Sequence, residues 1–277
     1  MEGLEMLDRL QEAVMDDSKN KISAPKENYH FDKLKMYFGE DFKLKDGIVI
    51  SQPTIGDILE AGEENFYHSL TPFLYNSTSI RLQLWEAKPR IDWNHVKDIE
   101  VFAILIPMVD KMPLKLLFKD IHFEDFTLVN INDTENAEPR LGLYSASQNI
   151  LLNEDEYMLA AEYIRTMLNS HPKIERAKGK TAKNWIIQED RLNLQQRLNE
   201  NKTNFSTLLP LISSCINHPG FKYKLHELKE VGICQFMDSV QRIQKYESSI
   251  SALRGCYSGF VDTKKMDKET FNFMGDI

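Results

Sequence analysis

The sequence predicts a mainly α fold of the α+β type, in which a helical body carries a small amino-terminal β-hairpin or sheet. Apolar residues recur at helical spacing over most of the chain, whereas strand signals occur only between residues 42 and 153. The stretch 173–204 is rich in charge and amide side chains, which suits an exposed connecting helix. The predicted organisation is an amphipathic helix and tether at 1–30, an α+β domain at 31–172, the charged connector at 173–204 and a carboxyl-terminal helical domain at 205–277.

The composition is that of an ordinary globular protein, with 277 residues of which 42% are apolar and 27% are charged. A formal net charge of −8 argues against a nonspecific nucleic-acid binder, because surfaces that follow phosphates are normally basic. The three cysteines are far apart and odd in number, which is typical of a reducing compartment. The amino terminus lacks signal-peptide features, and the longest apolar run, Val101–Val109, is too short to span a bilayer. We therefore expect a soluble cytoplasmic protein that binds neither nucleic acid nor a membrane.

The first predicted element is an amphipathic helix at residues 2–16. Its apolar positions recur at helical spacing and are Leu4, Leu7, Leu10 and Val14. A polar, proline-containing stretch, "DDSKNKISAPKENYH", follows and is predicted to be a flexible tether. The helix can dock either on its own chain or on a partner. In the second case Leu4, Leu7 and Leu10 are the candidate partner-binding residues.

A hairpin and a capped helix are predicted to open the body. Asp46-Gly47 lies between the strand-like runs "FKLK" and "IVI", and both residues favour the positive φ of a tight hairpin turn. Pro53 ends the second strand, and Thr54 begins a helix in which Asp57 takes the capping-box position. The buried stripe of that helix is predicted to be Ile55, Ile58, Leu59 and Phe66.

Further helices are predicted at about residues 78–87, 93–111 and 113–120, with the apolar run 101–106 at the centre of the core. "FTLVNI" (126–131) and "NILLN" (149–153) are predicted strands. Asn153 and Glu156 form a second capping box, and the helix that they begin is predicted to stop at His171-Pro172. Its buried face is predicted to be Leu159, Tyr163, Ile164, Met167 and Leu168.

The connector and the carboxyl-terminal block are predicted to carry three apolar stripes. In the connector the stripe is Trp185, Ile186, Leu192 and Leu198. A short helix follows with the stripe Leu225, Leu228 and Val231, and Gly232 ends it. The last stripe is Ile233, Phe236, Met237, Val240 and Ile243.

Four residues in the carboxyl-terminal block have the composition of a zinc site. They are Cys215, His218, His226 and Cys234, spaced C-x2-H-x7-H-x7-C. Structural zinc sites usually combine two close ligand pairs, and here only the first two residues form one. Cys234 lies beside an apolar stripe, where a small buried cysteine is common. The sequence favours a structural role for these residues, and a metal-dependent enzyme or regulator remains the alternative.

Catalytic and nucleotide-binding motifs are incomplete. "GKT" (179–181) lacks the glycine of a phosphate-binding loop, because Ile174 stands in its place. "HELKE" has Glu230 where a zinc protease has its second histidine. "HFED", which starts at His122, is expected on a solvated turn, and acid pairs such as Glu63-Glu64 are expected at helix starts. We therefore expect a protein that is not an enzyme and that uses no cofactor or metal.

An aromatic pair is the remaining candidate for binding. Phe221 and Tyr223 alternate with lysines in "GFKYK", a combination that can grip a peptide or stack on bases. An acidic chain with a single such tetrad disfavours nucleic acid. The favoured interpretation packs Phe221 on the core and exposes Tyr223, and both are candidate partner-binding residues.

Four stretches together resemble a known group of proteins. They are "MYFGEDFKLKDGIVISQPTIGDILEAGEENFYHSLTPFL" (36–74), "RLQLWEAKPRIDWNHVKDIEVF" (81–102), "YIRTMLNSHPKIERAKGKTAKNWIIQED" (163–190) and "NHPGFKYKLHELKEVGICQFMDSVQRI" (217–243). They are similar to proteins encoded in the tail gene clusters of long-tailed bacteriophages, which are often interpreted as tail assembly chaperones. The resemblance runs from about Met36 to the carboxyl end and offers no catalytic residues.

The resemblance implies a role in tail morphogenesis through protein binding. A tail assembly chaperone keeps the apolar stripes of the long helical tape-measure protein from aggregating, and amphipathic helices can do this by helix-in-groove contacts. The tail tube protein and further copies of the chain are additional expected partners, and the expected location is the host cytoplasm. The block 205–277 would fit the longer of two frameshift-related forms. The alternative within this resemblance is a structural tail or baseplate component retained in the virion.

Overall fold

The computed structural model describes residues 29–132, 140–199, 206–259 and 266–275. The predicted amino-terminal helix, with Leu4, Leu7 and Leu10, lies outside the described residues. The helices are α1 (Lys33–Tyr37), α2 (Ile55–Ala61), α3 (Glu63–Ser69), α4 (Thr71–Leu74), α5 (Arg81–Glu86), α6 (Asp98–Leu105), α7 (Lys115–Phe118), α8 (Glu154–Met167), α9 (Lys180–Asn199), α10 (Leu208–Ile216) and α11 (Ile233–Tyr257). Short 3₁₀ turns lie at Trp93–His95, Ile106–Met108, Glu227–Glu230 and Lys268–Phe271.

The strands form two small antiparallel sheets among the described residues. They are β1 (Phe42–Lys45), β2 (Ile48–Ile50), β3 (Thr127–Asn130), β4 (Leu141–Ser145) and β5 (Ile150–Asn153), paired as β1-β2 and as β3-β4-β5. The prediction of a mainly α fold with a small β component is confirmed. β3 and β5 match the predicted strands, whereas the central strand β4 was not predicted. Gly142 lowers its strand propensity, and a Cβ there would lie 3.1 Å from the Leu152 carbonyl oxygen, which is closer than an ordinary contact.

The predicted hairpin forms at Asp46-Gly47, with one difference in the turn. Gly47 has a φ of 81°, whereas Asp46 does not have a positive φ, so the expectation for Asp46 is wrong. The strand register shifts between Lys43 and Lys45. An irregular register of this kind often accompanies a glycine in the left-handed region, and it replaces the symmetric two-residue turn that the sequence indicated.

The capping box of Thr54 and Asp57 is confirmed, but the helix that it begins is shorter than predicted. The Thr54 hydroxyl accepts from the Asp57 N–H at 3.1 Å, and Asp57 Oδ2 accepts from the Thr54 N–H at 2.8 Å. Gly62, with a φ of 83°, separates α2 from α3. The chain changes direction there, so Leu59 and Phe66 belong to different helices. Their spacing in the sequence therefore does not place them on one face. Leu59 is exposed, and its predicted burial is wrong.

The predicted helix at 93–111 is interrupted. The chain forms a 3₁₀ turn at Trp93–His95, then α6, and then a second 3₁₀ turn that contains Pro107. Proline lacks the N–H that would continue the α-helix, which accounts for the end of α6. Within the run 101–106, Phe102 and Ile106 are buried and Ile104 is exposed on one side.

α8 crosses the centre of the body and carries a buried charge. Its start is the predicted capping box of Asn153 and Glu156, which is confirmed. Its end comes earlier than predicted, because Asn169 adopts a φ of 49° just after the last turn. Arg165 lies inside: its Nε donates to the Phe73 carbonyl at 2.9 Å and its Nη2 lies 2.8 Å from Asp98 Oδ2.

α9 packs on α5 through its first half only. The second hydrophobic cluster joins Trp85 and Trp93 to Ile186 and Ile187 of α9. Arg81 holds the two helices together, since its Nε and Nη2 contact the Asp190 carboxylate at 2.5 and 2.7 Å. Of the four residues in the predicted stripe of this exposed connecting helix, Ile186 is buried. The three other members are exposed, namely Trp185, Leu192 and Leu198.

The carboxyl-terminal block shares its core with the amino-terminal body. One hydrophobic cluster contains residues of α2, α4, α6 and α8 together with Leu208 of α10 and Phe236 of α11. The Ile55 N–H donates to the Val231 carbonyl, and the Ile233 N–H donates to the Pro53 carbonyl, both at 3.0 Å. The division of the chain around 173–204 stays a prediction, but the described parts of the two blocks are joined by one core.

Glu63 ties the two blocks at a second point. Its carboxylate accepts from the Ser206 hydroxyl at 2.5 Å and from the N–H groups of Thr207 and Leu208 at 2.6 and 2.7 Å. These donors lie at the start of α10, where a negative charge complements the helix dipole. One residue of the predicted acidic pair thus serves two helix starts, that of α3 and that of α10.

Asp125, in the "HFED" stretch, holds the turn between β4 and β5. The Ser145 hydroxyl donates to it at 2.7 Å and the Ser147 N–H donates at 2.8 Å, and these bonds lower the pKa of Asp125 to about 2. Because the folded pKa lies below the usual 3.8, the ionised carboxylate stabilises the fold at pH above about 4. That contribution is lost as the pH falls through about 2.

We expect Asp125→Asn to be less stable than the wild type near neutral pH, with a difference that shrinks as the pH is lowered from about 4 to about 2. Urea unfolding at four pH values across this range measures the difference. Asp120→Asn, at an exposed neighbouring acid, is the matched control and should change little. A difference that stays constant down to the lowest pH would contradict the proposed role of the Asp125 charge.

Candidate partner-binding groove

A groove of about 770 Å³ runs beside the first half of α11. Its walls come from three separate parts of the chain, which are α1, the loop before the 3₁₀ turn Glu227–Glu230, and α11 itself. The lining residues are Tyr37, Gly220, Phe221, Lys222, Tyr223, Glu227, Glu230, Val231, Gln235, Ser239, Arg242 and Ile243. The volume lies in the range of pockets that hold several side chains or a small ligand.

The two aromatic residues predicted for partner binding form one wall of this groove. The rings of Phe221 and Tyr223 meet edge to face with centroids 5.7 Å apart. Phe221 also packs against the core, whereas Tyr223 is exposed, which is the arrangement that the sequence favoured. The structure therefore places both residues at one surface.

A histidine positions this aromatic wall. The Gly220 N–H donates to His218 Nδ1 at 3.1 Å, and the Phe221 N–H donates to the His218 carbonyl at 3.1 Å, so the turn closes on His218. On its other side, His218 Nε2 lies 3.0 Å from Glu247 Oε1 on α11. The turn is thus fastened to the helix that forms the floor of the groove.

Tyr37 forms the opposite wall, and the sequence did not single it out. Asp32 caps the start of α1, and its carboxylate accepts from the Leu34 and Lys35 N–H groups at 2.9 and 3.1 Å. Met36 is buried and anchors the short helix, so Tyr37 faces the groove. Burial, followed by the nearby charge of Asp238, raises the pKa of the Tyr37 phenol.

The floor of the groove is the polar face of α11. Gln235, Ser239 and Arg242 recur at intervals of four and three residues and share one side of the helix. Phe236 and Val240 occupy the other side, in the core. The predicted apolar stripe of α11 is therefore correct. The polar face of the same helix supplies the hydrogen-bond donors and acceptors of the groove.

The groove carries charges of both signs and borders exposed apolar surface. Arg242 Nε lies 3.8 Å from Asp238 Oδ1, and burial raises the pKa of Asp238 while Arg242 lowers it. Leu34 of α1 and Phe38, the residue that caps the end of α1, are exposed and four residues apart, and the Phe38 ring meets the Tyr37 ring with centroids 6.0 Å apart. An amphipathic partner would find apolar and charged contacts side by side here.

The four residues considered for zinc have separate surroundings. Cys215 is buried in the core, His218 pairs with Glu247, and His226 is exposed just before a 3₁₀ turn. Burial raises the pKa of Cys234 to about 11, which disfavours the thiolate that binds metal. Within the described ranges, no three histidine, cysteine or acidic side chains are grouped so that they could hold a metal ion.

The other incomplete motifs lie at a helix start and in a 3₁₀ turn. "GKT" lies at the start of α9, where Gly179 has a φ of 78°. "HELKE" overlaps the 3₁₀ turn Glu227–Glu230, so its residues do not form a long α-helix. In the part of the chain that the structure describes, none of the helices combines the length and apolarity needed to cross a bilayer.

Comparison of the chain with protein-family models, with curated proteins and with solved structures finds no match. The geometry of the groove is the structural observation from which a function is inferred.

Proposed function

We propose that this protein assists the assembly of a long-tailed bacteriophage tail, as a tail assembly chaperone that binds the tape-measure protein in the host cytoplasm. The observation that carries the proposal is the aromatic groove beside α11. Tyr37, Phe221 and Tyr223 present aromatic surface there, and Arg242 adds a cation. Tyrosine and arginine are the residue types that most often dominate binding energy at protein interfaces.

The groove suits a helical partner. α11 has 25 residues and is therefore about 37 Å long, so a partner helix of several turns could lie against it. A helix that offers an apolar stripe would place its side chains between Tyr37 and Tyr223, and the mixed charges of Lys222 and Glu230 could pair with its polar flanks. The tape-measure protein, as the resemblance implies it, is a long helix with such stripes.

The double variant Tyr37→Ala, Tyr223→Ala is expected to capture roughly ten-fold less tape-measure protein than the wild type, because two aromatic anchors are removed. The measurement is quantitative mass spectrometry after pull-down of the tagged full-length chain from infected-cell lysate. Tyr257→Ala is the matched control, since Tyr257 is 87% exposed near the far end of α11 and does not line the groove.

The same measurement on purified virions separates the chaperone from a structural role. A chaperone should be bound to tape-measure protein in the lysate and absent from particles. A fixed copy number in particles would instead identify a tail or baseplate component. Capture that is equal for the wild type and the double variant would reject the groove as the binding surface.

A further inference from the structure

A segment near the carboxyl end folds back along α11 and reaches the groove. We name residues 266–275 the strap. Its contacts follow α11 in reverse order: Met266 Sδ lies 4.0 Å from Cys256 Sγ, the Phe273 ring meets the Tyr246 ring, and the Gly275 carbonyl accepts from Arg242 Nη1 at 2.7 Å. The strap therefore runs antiparallel to the helix and ends at a groove residue.

The contact between Phe273 and Tyr246 is the main apolar attachment. The two rings are nearly perpendicular, at 89°, with centroids 5.6 Å apart. This edge-to-face arrangement is favourable for aromatic pairs. It covers part of Tyr246, which lies three residues C-terminal to the groove residue Ile243 on α11.

The strap is held weakly compared with the elements of the core. Its 3₁₀ turn, Lys268–Phe271, has no buried residue, and Met274 is 78% exposed. Segments with little buried apolar surface open at a low free energy while the rest of the protein stays folded. The strap can therefore leave α11 without unfolding of the body.

Arg242 connects the strap to the groove. In the described conformation its guanidinium is engaged by the Gly275 carbonyl and lies near Asp238. A partner helix that extends along α11 beyond Ile243 would need the surface on which Phe273 and Gly275 lie. The strap and such a partner cannot both occupy this part of α11.

We propose that the strap is an autoinhibitory segment, which covers the Arg242–Tyr246 part of α11 beside the groove until a partner helix displaces it. The regulatory use of the strap rests on the proposed function. Its attachment and its release are properties of the chain alone. In the free protein the strap also shields apolar surface of α11 from contacts with other molecules.

Two variants of full-length protein test this proposal without any partner. Phe273→Ala removes the aromatic attachment, and Met274→Ala changes the adjacent exposed side chain. The first readout is the rate at which an aromatic disulfide reagent modifies Cys256, which lies under Met266. Cys215 and Cys234 are slow internal references, since burial raises the pKa of both thiols. The second readout is fluorescence of bis-ANS, a dye that binds accessible apolar surface.

Phe273→Ala is expected to raise the Cys256 modification rate and the bound dye roughly three- to ten-fold, and Met274→Ala should leave both near the wild-type values. Adding Tyr37→Ala to Phe273→Ala should reverse the gain in dye, because the dye then loses a wall of the groove. Equal modification rates in the two single variants would overturn the proposal. A raised rate without a gain in dye would also overturn it, since the strap would then cover no apolar surface beside the groove.

Pull-down of tape-measure protein by the same variants separates this proposal from the proposed function. Higher capture by Phe273→Ala than by Met274→Ala supports both autoinhibition by the strap and the chaperone function. Equal capture by all three chains overturns autoinhibition and leaves the chaperone function intact. If none of the chains captures tape-measure protein, the proposed partner is wrong, and the thiol and dye results alone decide whether the strap covers the part of α11 beside the groove.

Discussion

Replacing Arg165 with methionine is expected to lower the free energy of unfolding by about 3–5 kcal/mol. The Arg165 side chain is only 5% exposed, and its guanidinium contacts Asp98 as well as two backbone carbonyls, those of Phe73 and Tyr75. Methionine has a similar length but no charge, so Asp98 would remain as a partly buried, unpaired carboxylate. The two carbonyls would also lose a donor, and buried polar groups without a partner are destabilising.

Urea unfolding followed by far-UV circular dichroism measures this effect. Arg191→Met is the matched control, because Arg191 pairs with Glu86 at the surface, where both side chains are about half exposed. An exposed pair of this kind contributes less than about 1 kcal/mol. If Arg165→Met and Arg191→Met unfolded at the same urea concentration, the buried pair of Arg165 and Asp98 would contribute no more to stability than the exposed pair.

A double variant distinguishes the charge pair from the packing of Arg165. Asp98→Asn removes the charge that methionine would leave behind. We expect the double variant Asp98→Asn, Arg165→Met to be more stable than the sum of the two single changes predicts, because contacting charges are coupled. Strict additivity would instead attribute the loss to the two carbonyls and to the packing of the arginine stem.

Replacing Gly56 with alanine is expected to destabilise the protein by about 1–3 kcal/mol. A Cβ at this position would lie 2.8 Å from the Lys229 carbonyl oxygen and 3.4 Å from the Lys229 Cβ. The closest atom belongs to the backbone, so it cannot move away as the end of a side chain could. The direction of the change in stability is informative, because replacing glycine by alanine within a helix otherwise stabilises the protein by roughly 1 kcal/mol.

Gly232→Ala is the matched control on the other side of the same junction. Gly232 precedes α11, has a φ of −63°, and has no atom within 4 Å of an added Cβ. We expect a change below about 1 kcal/mol there. Thermal and urea unfolding of both variants measure the comparison. A Gly56→Ala protein as stable as the wild type would mean that α2 and the turn Glu227–Glu230 are not held in close contact.

Much of the local structure follows from residues that are near one another in the chain. The capping boxes of Thr54 with Asp57 and of Asn153 with Glu156 each span three residues, and the hairpin depends on Gly47 and its immediate neighbours. Their partners are set by backbone geometry within one turn, which is why the sequence predicts them. The mainly α class follows in the same way from helical spacing of apolar residues.

Elements that depend on distant partners were predicted less well. β4 contains Gly142 and is a strand because β3 and β5 flank it on both sides. Trp185 and Leu192 are seven residues apart and share one face of α9, yet both are exposed, because Ile186 and Ile187 are the residues of this helix that join Trp85 in the second hydrophobic cluster. Periodicity identifies an apolar face but does not tell whether another element will cover it.

The same distinction between local and distant contacts applies to the candidate site. The sequence by itself indicated Phe221 and Tyr223, because their residue types and their place beside a turn suit binding. Only the tertiary structure brought Tyr37 to the opposite wall and laid the strap against Arg242, over separations of more than 180 and 30 residues in the chain. Contacts of this kind arise from the shared core that packs α1 and the carboxyl-terminal block together, and a burial pattern along one segment carries no information about its distant partner.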